Sequence, residues 1–155
     1  MDSKHNEQVT KVLLQILEKL AEIKLDWVLV GSTNLFVQGV NILAKDIDIV
    51  STQKDILEIE EIFKSYSIKK VVYSESEKYR SWFGRLVIDN IQVDLMADIE
   101  YKAPNGVSKK FITIDKYEIP VNPLENELNF YKKLKRKNDV LKIRLIEDFE
   151  ERKKS

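Results

Sequence analysis

The chain has 155 residues, 26 basic and 26 acidic side chains, no cysteine and one histidine. The missing cysteine excludes disulfides, thiolate catalysis and thiolate metal sites, and the lone His5 excludes a histidine-based triad or a multi-histidine metal centre. A formal net charge of zero gives no global attraction for nucleic acid or membrane, so a phosphate-bearing partner must be held by local charge and any metal by oxygen ligands, which favours magnesium, manganese or calcium.

At 43% hydrophobic residues the chain suits one domain over residues 1–155 with a real core. No apolar run approaches the ~20 residues needed to cross a bilayer, and the N-terminus lacks a signal-like apolar core. These points lead to the expectation of a soluble cytoplasmic protein without membrane partners.

Val9, Val12, Leu13, Ile16, Leu17, Leu20 and Ile23 recur at helical spacing and predict an amphipathic helix over 6–24. Residues 26–30 read as a short strand buried on both faces. A short helix over 32–38 follows, ended by Gly39 in a left-handed conformation. Residues 46–51 alternate as a strand, and 53–65 return to helical spacing. Strands are predicted at 69–75, 81–88 and 91–99, with Asp89-Asn90 as a two-residue hairpin turn and Gly84 marking a bulge or a close backbone approach. Pro104-Asn105-Gly106 reads as a turn, and 109–115 and 117–121 as strands. Asn122-Pro123-Leu124-Glu125 opens a helix, with asparagine as cap and Glu125 reaching back to it. Leu124, Leu128, Tyr131 and Leu134 form its inner stripe, and a last helix spans about 139–152. This order describes a mixed α/β (α+β) domain in which helices cover one sheet.

Three carboxylates carry the chemistry. In a strand, residues two apart share a face, so Asp46 and Asp48 project together while Ile47 and Ile49 enter the core. Two half-buried carboxylates repel, and a divalent cation between them removes the penalty; the plain alternative is a solvated strand edge. In IQVDLMA, Asp94 stands mid-strand on the face opposite Ile91, Val93 and Leu95. If this arm lies beside the strand of Asp46 and Asp48, the three acids form a two-metal site for phosphoryl transfer. Asp98, on the same face, is the rival for the third place. Gly31 lets the backbone approach a ligand, and Ser32 starts a helix whose free N–H groups attract phosphate.

The stretch VLVGSTNLFVQGVNILAKDIDIV resembles the signature of the polymerase-beta-like nucleotidyltransferases: an apolar strand, Gly-Ser, a spacer, then Asp-x-Asp in a second apolar strand, with a later third carboxylate that Asp94 matches. Gly39 and Lys45 agree with finer features of the small standalone members. The resemblance covers roughly residues 26–100. In the C-terminal helical segment, about 122–152, Lys132, Arg136 and Asp139 match a pattern of those members, except that Lys135 stands where a glycine is often seen. The plain reading of this lysine-rich stretch is a solvated helix end.

The resemblance implies a nucleotidyltransferase-like mixed sheet flanked by helices, with C-terminal helices. It implies transfer of a nucleoside monophosphate from a nucleoside triphosphate, ATP above all, to a hydroxyl with release of pyrophosphate. Asp46 and Asp48 would bind both magnesium (or manganese) ions, and Asp94 would complete one metal site and help activate the acceptor. Gly31, Ser32, Lys45, Lys132 and Arg136 would contact the nucleotide. Acceptors in the superfamily include small-molecule antibiotics, tRNA ends and tyrosines of a partner protein, and small members often build the acceptor pocket across a homodimer. Trp82 and Phe83 are candidates for that pocket or for the core. The competing expectation is a non-catalytic nucleotide-binding or regulatory module, such as an antitoxin-like partner protein.

Overall fold

The computed structural model describes residues 2–75, 80–98 and 109–154. In chain order the elements are α1 (Asp2–Leu20), β1 (Trp27–Val30), α2 (Gly31–Val37), β2 (Ile47–Ser51), α3 (Gln53–Ile62), β3 (Ser67–Glu75), β4 (Arg80–Ile88), β5 (Ile91–Asp98), β6 (Lys110–Ile114), β7 (Tyr117–Val121), α4 (Leu124–Leu134) and α5 (Val140–Lys153). All seven strands join one sheet in the order β3-β4-β5-β2-β1-β7-β6. Two neighbour pairs are parallel, β2 with β5 and β1 with β7; the rest are antiparallel.

The expected mixed sheet flanked by helices, with two helices at the C-terminal end, is therefore what the chain forms. Its main core packs the apolar stripe of α1 and Ile56, Ile59 and Phe63 against Leu29, Ile47, Ile49, Val93 and Leu95. A smaller cluster of Leu35, Val40, Leu124, Tyr131 and Ile146 joins α2 to α4 and α5.

Helix α1 is displaced by a turn from its expected 6–24. It stops at Leu20, and Ile23 is 40% exposed instead of lying on the inner stripe. Tertiary contacts draw the chain out of the helix. The Asp26 N–H donates to Asp55 Oδ2 at 2.8 Å, and the Ser51 hydroxyl donates to the Asp26 carbonyl.

The hairpin turn is as expected. Asp89 and Asn90 both have positive φ, 48° and 68°, which gives the primed turn that matches strand twist. Side chains of Gln8 and Gln15 on α1 donate to Asp89 at 3.0 and 2.8 Å, fixing the hairpin to the helix. The expected turn at Pro104-Asn105-Gly106 lies outside the described residues.

The cap of α4 differs from expectation. Pro123 is the N-cap, with no side-chain cap bond, and Asn122 stands one residue outside the helix. The Asn122 amide is drawn instead to Glu127, to which it donates at 2.9 Å.

Gly84 marks a close approach. A Cβ there would lie 2.8 Å from the Val71 backbone nitrogen and 2.9 Å from its Cα, beside the irregular register of β3. Gly84→Ala must push β3 from β4, and a loss of about 1–3 kcal/mol is expected from urea unfolding, the range typical of an overpacked core.

Candidate active site

The register of two strands builds the site. β2 runs parallel to β5 with Ile47 opposite Val93, Asp48 opposite Asp94 and Ile49 opposite Leu95. The four apolar members of these pairs are fully buried, so the two aspartates point to the other face. Asp46, two residues before Asp48, shares that face. Asp98 ends β5, four residues past Asp94 and about 13 Å further along the strand, on the side away from Asp46. Its side chain lies outside what is described, but the register makes Asp94 the neighbour of the other two acids.

Polar partners hold this crowd of negative charge. The Gln92 amide nitrogen lies 3.3 Å from Asp46 Oδ2 and 3.4 Å from Asp94 Oδ2, bridging the two. Arg85, opposite Asp94 on β4, donates from Nε to Asp94 Oδ1 at 2.8 Å. Asp48 fares worst. Burial first, then repulsion from Asp94, Asp46 and Glu127, pushes its pKa from the ordinary 3.8 to about 7. Burial, then Asp94, raises Asp46 as well, opposed by Arg85 and Lys45. Among the described residues, no three acidic or histidine side chains stand close enough together to hold a metal ion as they are.

The Gly31-Ser32 turn closes over Asp48. Gly31 has φ +81°, and a Cβ there would overlap Asp48 Oδ2, so the turn admits no side chain. Helix α2 opens at Gly31 itself, one residue before the expected Ser32. The Gly31 N–H is already engaged, donating to Glu127 Oε2 at 2.8 Å. Ser32 is buried, and its oxygen accepts from the Lys45 N–H at 3.1 Å, which leaves the hydroxyl proton to give. At the other end of α2, Gly39 is left-handed as expected, with φ +105°. Val40 N–H returns to Leu35 O and Gly39 N–H to Phe36 O, both at 3.0 Å, the two bonds of a Schellman motif.

The basic residues expected at the nucleotide divide differently. Lys132 is half-exposed and pairs with Glu147 at 3.1 Å. Arg136 pairs with the buried Asp139 at 2.7 Å and lies over the Phe130 ring. Lys45 is exposed and its charge favours ionised Asp46. The α5 cation whose charge reaches Asp48 is Lys142, which also lies 3.6 Å from Asp139 and over the Tyr131 ring. Of the two candidate aromatics, Trp82 packs against the core and edge-on to Tyr73. Phe83, opposite Met96, shares the carboxylate face with Arg85, whose guanidinium lies 5.3 Å from its ring centroid.

Sequence reading missed the buried support of the site. Glu127 is 3% exposed and accepts from Gly31 N–H, Asn34 Nδ2, Asn122 Nδ2 and the Tyr131 hydroxyl. Asn34 and Gln38 also donate to the Asn122 carbonyl, each at 2.8 Å. The available signal was an acid three residues after Leu124 and four before Tyr131, on the inner stripe of α4.

A family model for aminoglycoside-2''-adenylyltransferase matches residues 12–145. The chain belongs to the aminoglycoside-2''-adenylyltransferase family. Membership places it among the nucleotidyltransferases. A Thermotoga maritima protein, TM1012, assigned as a nucleotidyltransferase, is 33% identical over 89% of this chain and 91% of its own, with a TM-score of 0.76. The enzyme ANT(2'')-Ia, solved with adenylyl-2''-tobramycin, shares the fold at 18% identity, covering 90% of this chain and 87% of its own, with a TM-score of 0.58. An antigenic nucleotidyltransferase-like protein of Paracoccidioides brasiliensis shares it at 15% identity, 93% and 74% coverage and a TM-score of 0.53. No curated protein matches the sequence.

Two predictions follow from the electrostatics of this family member. Between its ordinary pKa near 3.8 and its folded value of about 7, Asp48 holds a proton in the folded state that the unfolded chain has released. Metal-free stability must therefore fall as pH rises through that window. Asp48→Asn should remove this fall and raise the melting temperature at pH 8 by several degrees. Glu127→Ala strands buried donors at Gly31, Asn34 and Asn122 and should cost about 3 kcal/mol or more. Glu127→Gln should cost clearly less in the same unfolding measurement. The buried Asn122 Oδ1, which has no partner among the described residues, can accept from the new amide after the asparagine flips.

Proposed function

We propose that the protein transfers a nucleoside monophosphate from a nucleoside triphosphate, ATP above all, to an acceptor hydroxyl and releases pyrophosphate. The observation that carries this reading is the rung that sets Asp48 beside Asp94, with Asp46 on the same face. In kind the donor set fits magnesium or manganese: three carboxylates, no sulfur or imidazole, and a buried Asp48 whose ionisation a bound cation would favour; the three would have to close up around the ion, since as they stand they are too far apart to share it. Asp46 and Asp48 would hold the cation that accompanies the triphosphate, and Asp94 would complete a second site. When bound, such cations supply charge neutralisation at the transferred phosphoryl group and at the leaving pyrophosphate.

The chain's own groups then divide the work. The Ser32 hydroxyl donates to a phosphate oxygen while Lys45 N–H holds its oxygen in place. Gly31, lacking a side chain, lets the phosphates come down onto Asp48. Lys45 supplies positive charge to Asp46 and Lys142 to Asp48, the latter while also paired with Asp139; Lys132 and Arg136 contribute only if they leave Glu147 and Asp139. The acceptor oxygen attacks the α-phosphorus, the bond to the bridging oxygen of the β-phosphate breaks, and the hydroxyl proton passes towards Asp94. Alignment and charge complementarity are the main demands this transfer makes on a protein.

An aminoglycoside hydroxyl is the acceptor favoured by the family to which the chain belongs. The half-buried Phe83–Met96 pair lies beside Asp94 on the same face and would flank such an acceptor, with Lys69 and Arg85 over the Phe83 ring. A tRNA end or a partner-protein tyrosine are the other acceptors to supply, and a homodimer would deepen the pocket. The second reading, a nucleotide-binding module without turnover, draws on the Arg85–Asp94 ion pair, which occupies the third carboxylate.

Nucleotide should stabilise the fold only with magnesium or manganese present, by about 2.7 kcal/mol at a hundredfold excess over Kd. Equal stabilisation in excess chelator would contradict the acidic metal site. Pyrophosphate release with a panel of the three acceptor classes separates enzyme from binding module. Asp94→Asn should retain nucleotide binding and lose at least ~100-fold in single-turnover transfer. Asp48→Asn should lose both. Lys142→Ala should weaken nucleotide binding more than Lys132→Ala does, as read by the same titration.

A further inference from the structure

Asp94 is the one acid of the three with both oxygens engaged. Oδ1 accepts from Arg85 Nε at 2.8 Å and Oδ2 faces the Gln92 amide at 3.4 Å. Asp48 has no such partner among the described side chains; it has only the bare Gly31 turn against it and the distant charge of Lys142. A cation arriving at this face therefore meets two unequal halves. Between Asp46 and Asp48 it relieves repulsion. At Asp94 it must first displace a guanidinium.

The guanidinium is placed for displacement. It holds Asp94 through Nε alone, not through the two-pronged fork that makes arginine–carboxylate pairs strong. Its side chain is 33% exposed, so it can swing without breaking the core. Its guanidinium already lies 5.3 Å from the Phe83 ring centroid, a contact it shares with Lys69 and can keep on leaving Asp94. Its remaining donors suit phosphate oxygens, which a planar guanidinium binds well.

We propose that Arg85 is a displaceable counter-ion that blocks the Asp94 half of the site until a nucleoside triphosphate draws it away, so that the site fills in order. The cation at Asp46 and Asp48 enters first, and the one at Asp94 enters only with nucleotide. This rests on the reading of the three aspartates as a metal site. It gives the ion pair a purpose that a merely structural cross-strand bridge would lack, because the bridge would then be indifferent to metal and nucleotide.

The test is manganese binding to the intact protein, followed by electron paramagnetic resonance and calorimetry, without turnover. Wild-type protein should take up one ion alone and a second when a non-hydrolysable nucleoside triphosphate analogue is added. Arg85→Met should take up two ions without nucleotide, the second at least about tenfold tighter than in wild type, the scale of a lost charge-assisted competitor. Arg85→Gln, which keeps a polar head without charge, should behave like Arg85→Met and guards against a folding defect in either variant. Identical stoichiometry and affinity in wild type and both variants would overturn the proposal. So would two ions on nucleotide-free wild type, although the metal site itself would stand. No manganese on wild type even with nucleotide would overturn the metal-site reading and this proposal with it.

Discussion

Like charges on neighbouring strands repel, yet parallel pairing of β2 with β5 sets Asp48 directly beside Asp94. The pairing is held by what lies on the other side of the sheet. Ile47, Ile49, Val93 and Leu95 are wholly buried, and slipping the register by one residue would turn all four outward. The apolar core thus enforces an arrangement that the acids oppose. Arg85 and Gln92 answer that imposed crowding with hydrogen bonds, while at Asp48 burial first and the neighbouring acids second raise the pKa.

The second constraint joins the C-terminal helices to the opposite end of the sequence. Glu127 on α4 gathers donors from Gly31, Asn34, Asn122 and Tyr131, so one carboxylate ties α4 to α2 and to the end of β7. A buried acid is costly unless its lone pairs are satisfied, and here they are. The hydrogen bonds to Glu127 oppose the upward push of burial on its pKa. The same contacts hold the Gly31 turn against Asp48. Support of the site and attachment of the helices are therefore one network, not two.

How much of this was legible depends on the range of the physics involved. Period-two alternation set Asp46 and Asp48 on one face and Asp94 on the outer face of its own strand, whereas the adjacency of the two strands comes from the sheet order. The primed turn at Asp89-Asn90 and the left-handed Gly39 were also legible, since local backbone geometry decides them. The end of α1 was not: contacts of Asp26 with Asp55 and Ser51, distant in sequence, pull the chain from the helix early. Asn122 looked like a cap because capping is local, whereas its real partner is set by burial of Glu127. Spacing along α4 could not reveal that Lys132 meets Glu147 while Lys142, on the next helix, sends its charge to Asp48. Arg85, by contrast, was legible but passed over: a two-residue turn at Asp89-Asn90 fixes the hairpin register and so sets Arg85 opposite Asp94.

The bond from Gly31 to Glu127 spans 96 residues of chain. On a ribosome, the Gly-Ser turn and the first two acids emerge long before α4 exists. Until then Gly31 has no acceptor for its N–H, and the smaller apolar cluster lacks Leu124, Tyr131 and Ile146. A nascent chain can thus assemble much of its sheet while the turn over Asp48 is still loose. Completion of the turn over Asp48 therefore waits on the last helices, which supply the acceptor for Gly31 and the rest of the smaller apolar cluster.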